Sequence, residues 1–506
     1  MSRSRHDDRT DIVARTLARN RLGVPAVVFF VLAAAAPLTV VAGGATTGWA
    51  VTGVIGIPVA YLAVAAVLAV FSVGYTAMSR RIVNSGAFYS YIAQGLGRVP
   101  GVGAAFVAQL AYNTMQIGLY GGFGVVLAGL LDDRAGIDLP WWCCAFAAWA
   151  VIGVLGVLRV DVNGRVLAVL LVAEIAVAVV YGAVAVTHPA GGTITFDTLA
   201  PSWLLDTGIG AGLATAIAGF VGFEATAVYA EETKDPRRTV PRATYLALLV
   251  IGLLYAASSW AMSVATGPAG IVDRAKADGT ELMFTIVAPY LHRAWLDVGH
   301  VLFVTSLFAA LLAFHNTVAR YSFALGRERV LPAWLGATSA RTNAPVWGSL
   351  TQTAVAGVVL AVYSVNGLDP ILYLFFWWTV LGGLGVLVLM TATSVAVVAF
   401  FAHPGNRTGT GLWSRAIAPG VAAAALTYVL WLTLTQFDVL LGVTDPASPW
   451  PVVLPALYGA AAVLGMAWAL LLRARSPQRY ATIGLGADSA IAMSFTTPMR
   501  VGGVAR

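Results

Sequence analysis

The sequence predicts an all-α polytopic membrane protein with twelve transmembrane helices, and three observations lead there. First, the chain has 506 residues, 59% of them apolar and only 10% charged, with a mean hydropathy of +0.82. Soluble globular chains carry about a quarter charged residues, so an ordinary soluble enzyme and a disordered chain are both excluded. Second, the apolar residues gather into twelve runs about twice the length of a barrel strand, without period-two alternation, so the spans are helices. Third, if the N-terminus is cytoplasmic, 26 of the 30 Lys and Arg fall in segments on that side and four fall opposite. That asymmetry places both termini in the cytoplasm of a cell-membrane protein, and a missed span would scramble it.

The elements follow in order. A hydrophilic tail covers residues 1–24 and has no pattern of a cleavable leader. The first span, near 25–49, carries Pro37, Gly43 and Gly44, and the second, near 52–78, ends at Arg80 and Arg81. The third, near 100–131, holds Asn113 and Gln116 and leads to the outer acids Asp132 and Asp133. The fourth, near 140–158, contains Cys143 and Cys144, adjacent small core residues that form neither a disulfide framework nor a ligand set. Arg159 and Arg165 precede the fifth, near 166–186, which holds Glu174. The sixth, near 208–230, carries Gly219-Phe220-Val221-Gly222-Phe223-Glu224, and the seventh lies near 243–266. The outer loop 267–296 includes Leu282–Val287, read as a short amphipathic helix, with a plain loop as the alternative. The eighth, near 297–322, holds His300, His315 and Asn316. The last four lie near 345–363, 370–401, 416–436 and 450–472, before a polar tail expected to be poorly ordered.

Ionisable groups within a bilayer are costly, so each one retained there is a functional candidate. Glu174 and Glu224 are the two carboxylates well inside spans. Glycine and proline interrupt the first and sixth spans, and unwound backbone at membrane depth is tolerated where it lines a cavity. Breaks five helices apart are what an inverted five-helix repeat would show. The positive charge is scattered through short loops, with no basic aromatic surface, zinc spacing or phosphate-cradling glycine loop, so no nucleic-acid partner is expected. No metal, cofactor or catalytic set is called for, and the oligomeric state is open.

The run Gly219–Glu224 through Glu231-Glu232-Thr233-Lys234-Asp235-Pro236-Arg237-Arg238-Thr239-Val240-Pro241-Arg242-Ala243 closely resembles the sixth helix and following loop of the amino acid–polyamine–organocation (APC) transporter superfamily. Asn84-Ser85-Gly86-Ala87-Phe88-Tyr89-Ser90-Tyr91 is similar to that family's segment between helices two and three, with Val83 where a proline is usual. Asn316–Arg320 through Ala324–Pro332 resembles the end of its eighth helix. The resemblance covers residues 20–475 and implies a 5+5 inverted-repeat (LeuT-like) core plus two C-terminal helices. Repeats over 25–186 and 208–401, helices eleven and twelve over 416–472 and a C-terminal tail over 473–506 follow from it.

The resemblance also implies a substrate held between the broken helices, its carboxylate on N–H groups of the first and its ammonium on carbonyls of both. The positions are Pro37, Thr39, Val40, Val41 and Gly43, then Gly219, Phe220, Val221, Gly222 and Phe223, with Asn113 of the third span added for its polarity. Glu174 falls where proton-coupled relatives carry a lysine and sodium-coupled ones an ion. It could take up a proton or ligate Na⁺, and the proton is favoured because Phe308–Ala313 offers no hydroxyl; a carboxylate hydrogen-bonded for packing is the alternative. Glu224 would carry a proton, sense the substrate ammonium, or cap the broken backbone. His315 and Asn316 are read as interhelical hydrogen-bond partners, and Phe375–Trp378 as packed or lipid-facing, with a gating role as the alternative. Glu231 and Glu232 are read as pairing with Arg237, Arg238 and Arg242. The favoured function is a proton-coupled amino acid transporter working by alternating access. An amine or polyamine carrier or an exchanger is the alternative, and a membrane enzyme or sensor a remote one.

Overall fold

The computed structural model describes residues 22–158, 160–339 and 341–486; most of the N-terminal tail, Arg159 and the end of the C-terminal tail lie outside them. Within lipid each backbone N–H and C=O must be satisfied inside its own segment, which apolar runs of this length achieve as helices. Eleven described helices are long and apolar enough to cross a membrane: Val24–Thr52, Ile57–Ser79, Arg98–Ala135, Val169–Thr187, Ile209–Val228, Pro236–Thr266, Arg293–Arg327, Val346–Val365, Pro370–Ala402, Trp413–Thr435 and Trp450–Arg475. The fourth expected span is the apolar helix Trp141–Gly156 of 16 residues, shorter than the ~20 residues a full crossing takes. It packs between the third and ninth spans.

The most apolar stretch of the sixth span is 94% buried and that of the first 78%, against 33% and 17% for the last two spans. The two spans with helix breakers are therefore central, while the last two lie at the periphery together with the fifth and ninth, which are 33% and 28% buried. The segment between the second and third spans is itself a helix, Ala87–Leu96. Its Phe88 and Tyr91 pack on Tyr75 of the second span, with ring centroids 5.6 and 5.3 Å apart. The expected outer helix forms at Leu282–Val287 and buries Leu282, Met283, Phe284 and Val287. The tail after Arg475 departs from expectation. Residues 477–481 form a helical turn, and the chain through Gly486 is docked on the bundle.

Candidate functional site

The first span breaks at Ala36, which adopts a left-handed conformation (φ 40°, ψ 74°). Pro37 then starts the second half, where its missing N–H costs nothing because the first N–H groups of a helix have no intrahelical partner. Two of those N–H groups find side chains instead. That of Leu38 faces the Glu174 carboxylate, and that of Thr39 donates to Ser306 Oγ at 3.2 Å. The Thr39 hydroxyl also donates to Ser306 Oγ, at 3.1 Å, and Ser306 in turn lies beside Glu174. Glu174 thus sits at a helix N-terminus, where the backbone favours negative charge. It is buried, and its Oε2 has no hydrogen-bond partner among the described residues. The break begins one residue before the expected Pro37–Gly44, and Gly43 and Gly44 lie inside the π-helical turn Thr39–Ala45. Gly43 serves close packing, since a Cβ there would stand 3.2 Å from the Phe375 ring.

The sixth span is helical over Ile209–Phe220 and again over Ala225–Val228, with a turn at 221–224. Gly222 has φ +116°, and a Cβ there would lie 2.9 Å from that of Ala34. Its N–H donates to Glu224 Oε2 at 2.9 Å, while Tyr112 donates its hydroxyl to Oε1 at 2.7 Å. One oxygen of Glu224 therefore caps the broken backbone and the other ties it to the third span. The two breaks touch: a Cβ on Gly219 would fall 2.8 Å from Val40 Cγ1.

Between the breaks lies a small cavity of about 50 Å³. Thr39 and Val40 line it from the first span and Gly219 and Val221 from the sixth. Pro37, Val41, Gly43, Phe220, Gly222 and Phe223 shape the breaks without lining this wall, and Glu174 and Glu224 stand behind it. Asn113 is not brought to the cavity. Met115 and Leu119 of the same helix line it, and two residues' offset from Met115 turns Asn113 roughly 200° away. The Asn113 amide instead donates to its own helix, at the Gln109 carbonyl, 2.6 Å away. Sequence reasoning missed Tyr61, Phe314, Phe375 and Phe376, all on the wall. The Tyr61 hydroxyl is buried with no partner among the described residues. Among the described residues, no acidic or basic side chain lines the cavity.

The three motif segments converge at the end of the bundle where the chain enters the first span, here termed the basic end. Glu231 accepts two hydrogen bonds from Arg327, at 2.7 and 2.8 Å, and one from the Ser85 N–H at 3.0 Å. Glu232 pairs with Arg320 at 2.6 Å, and that guanidinium lies 4.7 Å from the centre of the Tyr229 ring. The partners therefore come from the eighth span, not from Arg237, Arg238 and Arg242 as expected. The turn Ala230–Glu232 points both carboxylates back into the bundle, whereas Arg238 pairs locally with Asp235 at 3.6 Å. Burial pushes the Glu231 carboxyl up, but the Arg327 guanidinium outweighs it and holds the group below the usual carboxylate range. Backbone bonds from Leu22 N–H to the Glu232 carbonyl (3.1 Å) and from Lys234 N–H to the Leu22 carbonyl (2.7 Å) join the chain before the first span to the chain after the sixth. Glu328 is fully buried and accepts from Asn84 at 3.0 Å, from the N–H groups of Gly484 and Gly486 at 2.6 and 2.7 Å, and from Tyr89. His315 bonds Ser349 of the ninth span at 2.7 Å, an interhelical contact as expected.

The sequence profile of a family described as amino acid permease matches residues 22–453. The chain belongs to the amino acid permease family of the APC superfamily. The permease is 23% identical over 451 residues to the low-affinity putrescine importer PlaP of Escherichia coli, covering 86% of this chain and 92% of that one. It is 23% identical over 424 residues to the branched-chain amino acid permease BcaP of Bacillus subtilis, covering 78% and 84%. Among solved structures it superposes on a mutant form of a manganese transporter of Eremococcus coleocola with a TM-score of 0.54 and 14% identity, over 91% of this chain and 97% of that one. That likeness shows the fold: the permease is an all-α, multi-pass membrane protein built on a transporter scaffold.

Proposed function

We propose that the permease moves a small apolar amino acid across the cell membrane by alternating access, driven by protons, with both termini in the cytoplasm. The supporting observation is the cavity between the broken first and sixth spans, walled by Val40, Val221, Met115, Leu119 and aromatic rings. Such walls suit an apolar side chain, and a helix end facing the cavity suits the ammonium of the zwitterion. The C-terminal carbonyls of Ile209–Phe220 attract the ammonium, and the carboxylate is left to the polar groups of the wall, Thr39, Thr215 and Tyr61. The free Tyr61 hydroxyl adds a polar contact. Putrescine, named for one relative, would place a second ammonium against a wall without a carboxylate, a costly arrangement.

Glu174 is the proposed proton carrier. Thr39 lines the cavity and its hydroxyl reaches Ser306, which reaches Glu174, so substrate and carboxyl are two side chains apart. The expectation that the eighth span offers no hydroxyl here is corrected by Ser306, two residues before the stretch considered. Sodium remains disfavoured on other grounds: the N–H groups of Leu38 and Thr39 point into this site, and a hard cation needs oxygens there.

The test is uptake by reconstituted vesicles of labelled branched-chain amino acids and putrescine, with imposed proton or sodium gradients. Proton-driven accumulation of the amino acids is expected. Glu174→Gln keeps the shape and hydrogen bonding of the protonated acid but cannot release a proton, so it should bind substrate without accumulating it. Accumulation that follows sodium, or a Glu174→Gln variant that accumulates normally, refutes the assignment.

A further inference from the structure

A second cavity, of about 540 Å³, lies at the basic end where the second span meets the seventh span and the loop between the tenth and eleventh. Arg80, Arg81 and Arg237 border it, and no acidic side chain does. Arg81 donates to the Thr408 carbonyl and so fixes the loop to the second span. Arg80 and Arg237 have no side-chain partner among the described residues, and the nearby Asp235 is taken by Arg238. Two unpaired guanidinium groups bordering one hollow, with the Thr410 hydroxyl beside them, form a receptor for a tetrahedral oxyanion.

The hollow does not stop at its charges. Tyr245, on its wall, is followed at i+4 and i+8 by exposed Leu249 and Leu253. Ser414, also on the wall, is followed at i+3 and i+7 by exposed Ile417 and Val421. Val73 of the second span is preceded at i−4 and i−7 by exposed Ala69 and Ala66. These spacings keep each set on one helix face. Three apolar stripes therefore run from the arginines along the lipid-facing side of the helices. A free phosphate ion would use the arginines and leave the stripes idle, whereas a diacyl lipid uses both.

We propose that this cavity binds the phosphate headgroup of an anionic phospholipid, with the acyl chains lying along the three stripes. The site is separate from the substrate cavity and shares no lining residue with it.

Native mass spectrometry of the purified full-length chain tests this with phosphatidylglycerol and phosphatidylcholine offered in turn, and thermal unfolding is followed with added inorganic phosphate. Phosphatidylglycerol should be retained in preference to phosphatidylcholine. The double variant Arg80→Gln, Arg237→Gln should weaken that retention about tenfold. Neither side chain has a protein partner, so its lipid-free melting temperature should match wild type. Thr410→Trp keeps every charge but fills the hollow, and should also lose the lipid. Equal retention of the two lipids, a double variant that binds as wild type does, or a Thr410→Trp variant that keeps the lipid would each overturn the proposal. Protection by inorganic phosphate equal to that by phosphatidylglycerol would overturn it too, by showing a free-anion site.

Discussion

Ala218 lies on the cavity wall one residue before Gly219, so its methyl is a direct handle on the site. Ala218→Leu should cut uptake in proteoliposomes by more than about tenfold, because apolar pockets discriminate by single methylenes; Ala218 also packs on Gly383, so the melting temperature is read beside uptake and a fall of a few degrees is expected. Normal transport by this variant would move the site elsewhere. Gly222→Leu is a poor substitute: positive φ and the approach of Ala34 mean that it strains the fold as well as the site. Arg320 poses a different question. It is 1% exposed and bound to Glu232, so Arg320→Met leaves a buried carboxylate unpaired and should cost about 3–5 kcal/mol. Adding Glu232→Gln should recover much of that in denaturant titrations; a double variant no more stable than Arg320→Met would contradict it. The motif residues Glu231, Glu232, Arg320 and Arg327 were legible as a charged layer. Their pairing was not, because sequence proximity favoured Arg237 and Arg238 and only the turn at 230–232 redirects the acids. Tyr61 and Phe375 were illegible as wall residues, since an aromatic in an apolar run gives no sign of which face it occupies.

At the scale of elements, the docked tail matters most. Glu328 binds the Gly484 and Gly486 N–H groups, and the Thr482 hydroxyl donates to its carbonyl at 3.2 Å. Burial lifts the Glu328 carboxyl from 4.5 to about 7, against the opposing pull of these donors and of Asn84. A group raised in this way binds its proton more tightly folded than unfolded. Its stabilising contribution is complete below its ordinary value of 4.5 and is lost as pH rises through about 7. Stability should therefore fall by up to about 3 kcal/mol between about pH 5 and about pH 8. Glu328→Gln should flatten that slope in thermal melts, and an unchanged slope would place its origin in another group. Helix boundaries were legible to within a few residues because hydropathy marks the lipid-facing length directly. The helix Ala87–Leu96 and the tail's docking were not, because both depend on the basic end offering buried partners.

For the molecule as a whole, the 26-to-4 division of basic residues predicts an orientation that labelling can check. In a variant lacking Cys143 and Cys144, single cysteines at the exposed positions Asp133 and Asp197 should react with an impermeant thiol reagent in intact cells. Protection of both would reverse or break the proposed topology. The first and sixth spans are innermost and the fifth, ninth, eleventh and twelfth are peripheral. The expected repeats, 25–186 and 208–401, would each begin with one of those two inner spans.

The two backbone hydrogen bonds between Leu22 and the Glu232–Lys234 segment tie the chain just before the first span to the chain just after the sixth. They yoke the feet of both broken spans into a single lever. Main-chain atoms make this link, so side-chain changes other than to proline leave it intact. It joins Val24–Ala35 to the chain just after Ala225–Val228, each on the same side of its break at Ala36 or Gly222, by a route that bypasses the cavity.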